Sequence, residues 1–125
     1  MRVAVVGSRN AQEKIKVSIL RMIPADVSEI VSGGAEGVDA YAEDLADILG
    51  VPVKKFLPDY EKYGKQAPLV RNLEIIKYAD EVLAFWDNHS KGTQHVIVNC
   101  IKMQKPVRII PVPYDGDSEE EIELF

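Results

Sequence analysis

The sequence is poor in cysteine and histidine and has no long apolar run. Its 125 residues include one cysteine, Cys100, and two histidines, His89 and His95. A lone cysteine excludes an internal disulfide and a CxxC metal site, so Cys100 is expected in the core. Neither histidine has a Cys or His partner at the spacing that metal ligands require, so we expect no metal site. No apolar run in the sequence approaches the roughly 18 residues of a membrane span. The apolar stretch at residues 1–7 is too short for a signal segment. We therefore expect a cytoplasmic protein that does not contact a membrane.

The chain also lacks a basic excess. Its formal net charge is −5, from 15 Lys and Arg against 20 Asp and Glu. Six acidic residues fall within the last eleven positions, which leaves 14 acidic against 15 basic residues before them. Without a basic stripe or a basic cluster interleaved with aromatics, long nucleic acid is not expected as a partner. A small anionic ligand remains compatible with this charge.

Two nucleotide-binding signatures are missing as well. No Gly-Lys-Ser/Thr closes a glycine loop, which disfavours ATP hydrolysis of the P-loop type. No GxGxxG follows a strand, because the loop after the first apolar run contains only Gly7. An NAD site is therefore a poor fit to this sequence.

The most informative stretch is the loop at residues 32–39, SGGAEGVD, between an apolar strand and an amphipathic helix. Gly33, Gly34 and Gly37 place no Cβ where the backbone turns and where its N–H groups approach a bound group. The following helix directs its N-terminal amides and positive dipole end to the same place. The loop is interpreted as an anion cradle, with a purely structural strand-to-helix turn as the alternative.

Strand-like and helix-like segments alternate along the whole chain. Short apolar runs predict five strands, and periodic apolar stripes predict four helices between them. This alternation indicates a Rossmann-like open parallel α/β sheet of order 3-2-1-4-5 with helices on both faces. One domain covers 1–113, followed by an acidic tail at 114–125. The predicted strands are 2–6, 29–31, 53–57, 82–86 and 106–111.

Polar loops follow the first and fourth predicted strands, which flank the reversal of strand order, and the second strand beside them. These loops are residues 7–10, 32–37 and 87–93. Ligands of open α/β sheets bind at this edge, so the loops are expected to converge on phosphate and sugar oxygens. Asn10 is expected to cap the first helix together with Glu13. The longer loop at 58–68 has the length of a lid.

Several side chains have two interpretations. Arg71 is expected at a helix start, where the dipole disfavours its charge, so it needs an anion or a carboxylate partner. Asp39 suits the first turn of a helix for structural reasons and a ligand site equally well. Trp86 stacks on a base or packs in the core. Tyr60 and Tyr63 close over a ligand or pack against a second subunit.

Four motifs in order resemble the SLOG superfamily, which includes the Smf/DprA proteins and the LOG-type phosphoribohydrolases, and within it the small stand-alone YspA-related branch. They are Gly7-Ser8-Arg9, residues 32–39, the segment 68–72 (PLVRN) and the segment 86–93 (WDNHSKGT). The resemblance spans roughly residues 2 to 110 and implies a Rossmann-like domain that binds a nucleotide or nucleotide-derived ligand. A homodimer or higher homo-oligomer stays open.

The resemblance also marks a departure. LOG enzymes carry a glutamate where this chain has Val96, and a valine can neither accept a proton nor stabilise positive charge at a ribose. We therefore expect binding or sensing of a small phosphorylated nucleotide-like ligand, with no catalytic residue and no required cofactor; the alternative is a LOG-type nucleoside 5′-monophosphate phosphoribohydrolase. The predicted ligand-binding residues are Gly7, Ser8, Arg9, Ser32, Gly33, Gly34, Ala35, Gly37, Asp39, Arg71, Asn72, Trp86, Asp87, Ser90, Gly92 and Thr93.

Overall fold

The structure, a computed structural model, describes residues 1–114. The predicted acidic tail lies outside the described residues except for Tyr114. Five parallel strands form one sheet of order β3-β2-β1-β4-β5, which confirms the predicted class and order. The strands are β1 (Arg2–Gly7), β2 (Glu29–Ser32), β3 (Val53–Lys55), β4 (Glu81–Trp86) and β5 (Val107–Pro111).

Helices cover both faces of this sheet, as predicted. They are α1 (Lys16–Met22), α2 (Val38–Leu49), α3 (Tyr60–Tyr63), α4 (Ala67–Tyr78) and α5 (Lys91–Lys102), with 3₁₀ turns at Glu13–Ile15 and Gly64–Gln66. The α1 and α2 helices pack on one face, and α4 and α5 pack on the other. No helix within residues 1–114 is long and apolar enough to cross a membrane.

The central strand β1 divides the core into two layers. Val3 and Val5 point to the α1/α2 side, while Ala4 and Val6 point to the α4/α5 side. Both sides are buried because β1 pairs with β2 and β4 and is covered by helices above and below. Such a strand needs a continuous apolar run, which is why residues 3–6 lack polar alternation. Cys100 is fully buried in the α4/α5 layer, as expected.

The start of the first helix differs from the prediction. Asn10 does not cap it: its N–H donates to Ser8 Oγ at 3.3 Å, and Gln12 precedes the 3₁₀ turn without a side-chain cap bond. The turn between β1 and α1 is thus closed by Ser8. The apolar residues of the first helix predict that Leu20 is buried, but it is 43% exposed, because the short α1 contacts the core through Ile19 and the preceding 3₁₀ turn does so through Ile15.

The segment between β3 and α4 also differs. It contains α3, a four-residue helix whose Asp59 side chain accepts from the N–H of Lys62 at 3.1 Å. The α4 helix begins at Ala67, with Pro68 in its first turn, where proline is favourable. Arg71 therefore lies in the second turn of α4, and the predicted conflict with the end of the helix dipole is weaker than expected.

Candidate functional site

A cleft of about 530 Å³ opens at the carboxyl ends of β1, β2 and β4. It lies where strand order reverses between β1 and β4, the position at which open α/β sheets bind ligands. Its volume lies within the range of about 300 to 1,000 Å³ that is usual for small-molecule sites. The three predicted loops converge on it, together with the first two turns of α4.

Most of the predicted ligand-binding residues line this cleft. They are Gly7, Ser8, Arg9, Gly33, Ala35, Asp39, Arg71, Asn72, Asp87, Ser90, Gly92 and Thr93. Ser32, Gly34, Gly37 and Trp86 do not line it, and each has a structural contact instead.

The glycine loop is closed around the carboxylate of Asp39. Asp39 Oδ2 accepts from the N–H of Gly33 at 3.2 Å and from that of Ala35 at 3.4 Å. The N–H of Gly34 donates to Ser32 Oγ at 3.0 Å. Three amides of the predicted anion cradle are therefore engaged by the chain itself. A ligand phosphate in this cleft has to use other donors.

Burial raises the pKa of Asp39 to about 6. The N–H groups of Ala35 and Gly33 and the nearby Arg71 guanidinium oppose this rise, because each favours the charged form. The Asp39 residue is 6% exposed, so water contributes little to the solvation of its side chain. Asp39 thus acts as a buried acceptor that fixes the loop.

Three more predicted residues lie outside the cleft lining but support the loops that form it. They are Ser32, Trp86 and Gly37. Ser32 Oγ donates to Glu43 Oε2 at 2.7 Å, and Trp86 Nε1 donates to the carbonyl of Ser90 at 3.1 Å. At Gly37 the backbone has φ +70°, and a Cβ there would lie 2.3 Å from the carbonyl oxygen of Ser8. Only glycine lets the first two loops approach so closely.

Arg71 is the cation at the centre of the site. Its Nη1 donates to the carbonyl of Gly33 at 2.7 Å, and its Nε donates to Asn72 Oδ1 at 3.0 Å. These bonds use two of the five N–H donors of a guanidinium. Burial lowers the pKa of Arg71, although Asp39 opposes the shift, and the group remains charged at neutral pH.

A hydrogen-bond chain continues from Arg71 to α5. Asn72 Nδ2 donates to His95 Nδ1 at 3.2 Å, which places the imidazole proton on Nε2 in the neutral ring. Burial lowers the pKa of His95, with Lys102 adding to the shift, so the neutral form is favoured. The network links the glycine loop, α4 and α5 in one rigid wall.

The third loop is organised by Asp87. Its Oδ1 accepts from the N–H groups of His89 at 2.9 Å and Ser90 at 2.8 Å. Burial alone would raise the pKa of Asp87, but these bonds and the Ser8 hydroxyl hold it below its usual value. Asp87 is therefore ionised at neutral pH.

The N-terminus of α5 opens into the cleft beside Asp87. Ser90 caps it, accepting from the N–H of Thr93 at 3.4 Å. Lys91 and Gly92 occupy the first two positions of this twelve-residue helix, where amides have no intrahelical partner. Both residues line the cleft. This end of α5 supplies amide donors and a positive dipole.

Sequence reasoning did not assign ten further residues of the cleft lining. Seven of them carried a signal in the sequence. Four lie in the predicted loops at 7–10 and 87–93, two lie in the motif at 68–72, and Val96 stands where the LOG enzymes carry a glutamate. Tyr114 carried none, although its ring stacks on His89 with centroids 3.7 Å apart and an interplanar angle of 22°. The ten residues are Val6, Asn10, Pro68, Leu69, Ile75, Asn88, His89, Lys91, Val96 and Tyr114.

Two solved structures share the fold of this protein. DNA processing protein A (DprA) from Streptococcus pneumoniae superposes with a TM-score of 0.72 at 22% identity, over 98% of this chain and 55% of that one. DNA processing protein A from Helicobacter pylori gives 0.70 at 23% identity, over 99% and 72%. The chain thus has the Rossmann-like DprA fold, which confirms the SLOG recognition at the level of fold. It spans about half the length of the pneumococcal protein.

Sequence comparison gives a nearer relative. No protein-family model matches the chain. The chain is 34% identical over 84 residues to the Gene 61 protein of Mycobacterium phage D29, covering 62% of this chain and 67% of that protein. The chain belongs to the family of this phage protein.

The comparisons correct one prediction. The Helicobacter pylori protein is described by its single-stranded DNA binding mode. The exclusion of long nucleic acid as a partner is therefore wrong. It rested on the absence of a basic stripe and of a basic cluster interleaved with aromatics from the sequence, whereas a single strand is held by a groove and by stacking on side chains that the fold brings together.

Proposed function

We propose that the cleft binds the phosphate of a nucleotide, either free or as one unit of a single strand. The observation that carries this proposal is the convergence of the Arg71 guanidinium and the open N-terminus of α5 on one cleft at the switch point of the sheet. A guanidinium and helix N-terminal amides are the donors that proteins use for phosphate.

The charges around the cleft support an anionic ligand. Arg9 and Lys91 are exposed at its rim, and Arg71 is partly buried within it. Against these three basic residues stand two acidic ones, Asp87, which is ionised, and Asp39, whose pKa of about 6 leaves it mainly ionised at neutral pH. The lining therefore has a net positive charge, although the whole chain is acidic.

The remaining lining supports the nucleoside part. Pro68, Leu69, Ile75 and Val96 give the cleft an apolar wall on the α4/α5 side. An ionised Asp87 accepts hydrogen bonds, as a ribose hydroxyl requires. We do not propose hydrolysis at this site, because buried Val96 replaces the glutamate that the LOG resemblance implies.

Arg9→Ala and Arg71→Ala test the proposal, with binding measured by titration calorimetry against the four nucleoside 5′-monophosphates and a mixed-sequence octanucleotide. Each variant should weaken phosphate binding by about 1.5 to 3 kcal/mol, and the loss should shrink as salt rises. Arg9 is exposed at the rim, so its loss should leave folding intact, whereas Arg71 also holds the carbonyl of Gly33.

Arg21→Ala is the matched control. It removes the same charge from an exposed position on α1 that is not part of the cleft lining, so affinity should stay at the parental value. Binding that is equal in the parent, Arg9→Ala and Arg71→Ala would refute a phosphate site in the cleft.

A further inference from the structure

Asp39 is a buried titratable residue in the wall of the cleft. It is 6% exposed, and its Oδ2 accepts from the N–H groups of both Gly33 and Ala35. Because both amides donate to the same oxygen, the other carboxyl oxygen, Oδ1, is able to carry a proton without the loss of either bond. Asp39 can therefore change its charge while the glycine loop keeps its conformation.

The carboxylate of Asp39 and the guanidinium of Arg71 meet beside Gly33. A Cβ placed on Gly33 would lie 3.0 Å from Asp39 Oδ2 and 2.8 Å from Arg71 Nη1, so the two groups are separated by no more than the sum of these distances. Opposite charges this close favour each other's ionised forms. The pKa of Asp39 is accordingly lower with Arg71 beside it than burial alone would make it.

The other charges around Asp39 come from several elements. Glu43 on α2 is a second acid, and its charge opposes the ionisation of Asp39. Glu43 is itself paired, because its Oε1 lies 3.0 Å from the Nζ of Lys55 at the end of β3. Arg9, in the loop after β1, acts on the guanidinium of Arg71. The remaining titratable residues of the cleft lining follow β4 and β5; they are Asp87, His89, Lys91 and Tyr114.

A phosphate bound to Arg71 changes this balance. It brings a second anion to the cation that favours the charged form of Asp39. Like charges that share one site do not both ionise easily, and a proton on one of them removes the repulsion. The amides at the N-terminus of α5 favour the charged phosphate, so the proton goes to the buried carboxylate of Asp39. In its neutral form Asp39 has an O–H donor instead of a charge.

We propose that Asp39 takes up a proton from solvent when a phosphate binds beside Arg71, so that the affinity of the cleft for phosphate falls as the pH rises. The proton attaches to a carboxyl oxygen, and no covalent bond to the ligand forms. This inference rests on the proposed phosphate site and specifies how that site is regulated.

The sign and size of the effect follow from linkage. Asp39 has a pKa of about 6 without ligand, and the bound phosphate raises this value. The affinity is highest below the pKa of the free protein and falls until the pH exceeds the pKa of the complex. The whole loss is about tenfold for each unit by which the phosphate raises the pKa of Asp39.

Titration calorimetry at pH 7, in two buffers of different ionisation enthalpy, measures this proton uptake with the nucleoside 5′-monophosphates as probes. The parent should take up more protons per bound ligand than Asp39→Asn, which has no carboxyl group at this position. The probe's own ionisation contributes equally to both proteins. At pH 8 Asp39→Asn should bind more tightly than the parent, and the two affinities should converge at pH 5.5.

Glu36→Gln is the matched control. It removes a carboxylate from the same loop at an exposed position that is not part of the cleft lining. Its proton uptake and its pH dependence of affinity should therefore equal those of the parent. A Glu36→Gln variant that loses the uptake as Asp39→Asn does would overturn the assignment of the proton to Asp39.

Carboxyl NMR of the parent tests the inference without any substitution, and it decides the matter if Asp39→Asn does not fold. Saturation with a monophosphate should raise the apparent pKa of Asp39 above its value of about 6. An unchanged pKa, or equal proton uptake by the parent and Asp39→Asn, would overturn the inference. Binding that still depends on Arg71 would then leave the phosphate site standing. No binding of any monophosphate by the parent would remove both.

Discussion

Asp39 shows how one side chain changes the interpretation of a whole motif. A glycine loop before a helix predicts donors for a ligand anion, but in this protein a carboxylate six residues further on already accepts from Gly33 and Ala35. The sequence contains both the loop and the acid. What it does not show is that α2 turns Asp39 back under the loop, because this depends on how α2 packs against β1 and β2.

At this residue we predict an unusual pH dependence of stability. Asp39 has a pKa of about 6 in the folded protein against a usual 3.8, so the folded state holds its proton more strongly than the unfolded state does. The stabilisation from this proton is complete below pH 3.8 and is lost as pH rises through about 6. Over that range it amounts to about 3 kcal/mol, because one pKa unit corresponds to about 1.4 kcal/mol.

Asp39→Asn is the variant that checks this prediction. It keeps an oxygen acceptor for the two amides and carries no charge, so its unfolding free energy should change less than that of the parent between pH 4 and 7. Denaturant titrations at several pH values measure the difference. Carboxyl NMR should give Asp39 an apparent pKa of about 6, and a value near 3.8 would contradict the burial argument.

At the scale of elements, the alternation of apolar runs was sufficient to predict the sheet and its order. Long periodic segments such as α2 and α5 were predicted well, because burying one face needs a regular stripe. The short elements were not: α3 has four residues and no buried side chain, so no stripe marks it. Pro68 indicated a loop end but lies inside the first turn of α4.

The contact between two loops gives the second prediction. Gly37→Ala places a Cβ 2.3 Å from the carbonyl of Ser8 and 2.5 Å from that of Arg9, at φ +70°. Gly50→Ala is the comparison, since Gly50 has φ +73° and nothing within 4 Å of the added atom. Gly50 has ψ 27°, in the left-handed helical region, where an added Cβ costs about 1 to 2 kcal/mol, whereas Gly37 has ψ −126°, outside that region, where the backbone strain is larger. Only Gly37→Ala must also separate the β1 and β2 loops.

We therefore expect Gly37→Ala to lower the unfolding free energy by clearly more than Gly50→Ala does, in urea titrations at one pH. The forced separation of the two loops should lower the unfolding free energy by about 1 to 3 kcal/mol more, as overpacking typically does. Equal losses in the two variants would show that the loops are free to move apart, and the cleft would then be less fixed than its hydrogen bonds indicate.

At the scale of the whole molecule, the charge balance was the least informative property of the sequence. An acidic chain predicts weak binding to nucleic acid, yet the lining of the cleft is net positive. Most of the candidate site could be predicted because the ends of parallel strands meet at one edge. Its pairings, such as Arg71 with Gly33 across 38 positions, depend on packing that no local pattern records.

Ligand binding should stabilise the entire domain, because the cleft is built from loops of both core layers. A phosphate-bearing ligand at about 100 times its dissociation constant should raise the unfolding free energy by roughly 2.7 kcal/mol. Thermal unfolding with nucleoside monophosphates, and with the matching nucleosides as controls, measures this effect. An equal rise in melting temperature with the nucleosides would show that the phosphate contributes no affinity, and it would contradict the phosphate proposal.

The stack of Tyr114 on His89 fixes where the chain leaves the described domain. After β5 the backbone does not run away from the binding edge but arrives at the mouth of the cleft. The last residue of the described chain is thereby also part of the wall of the cleft.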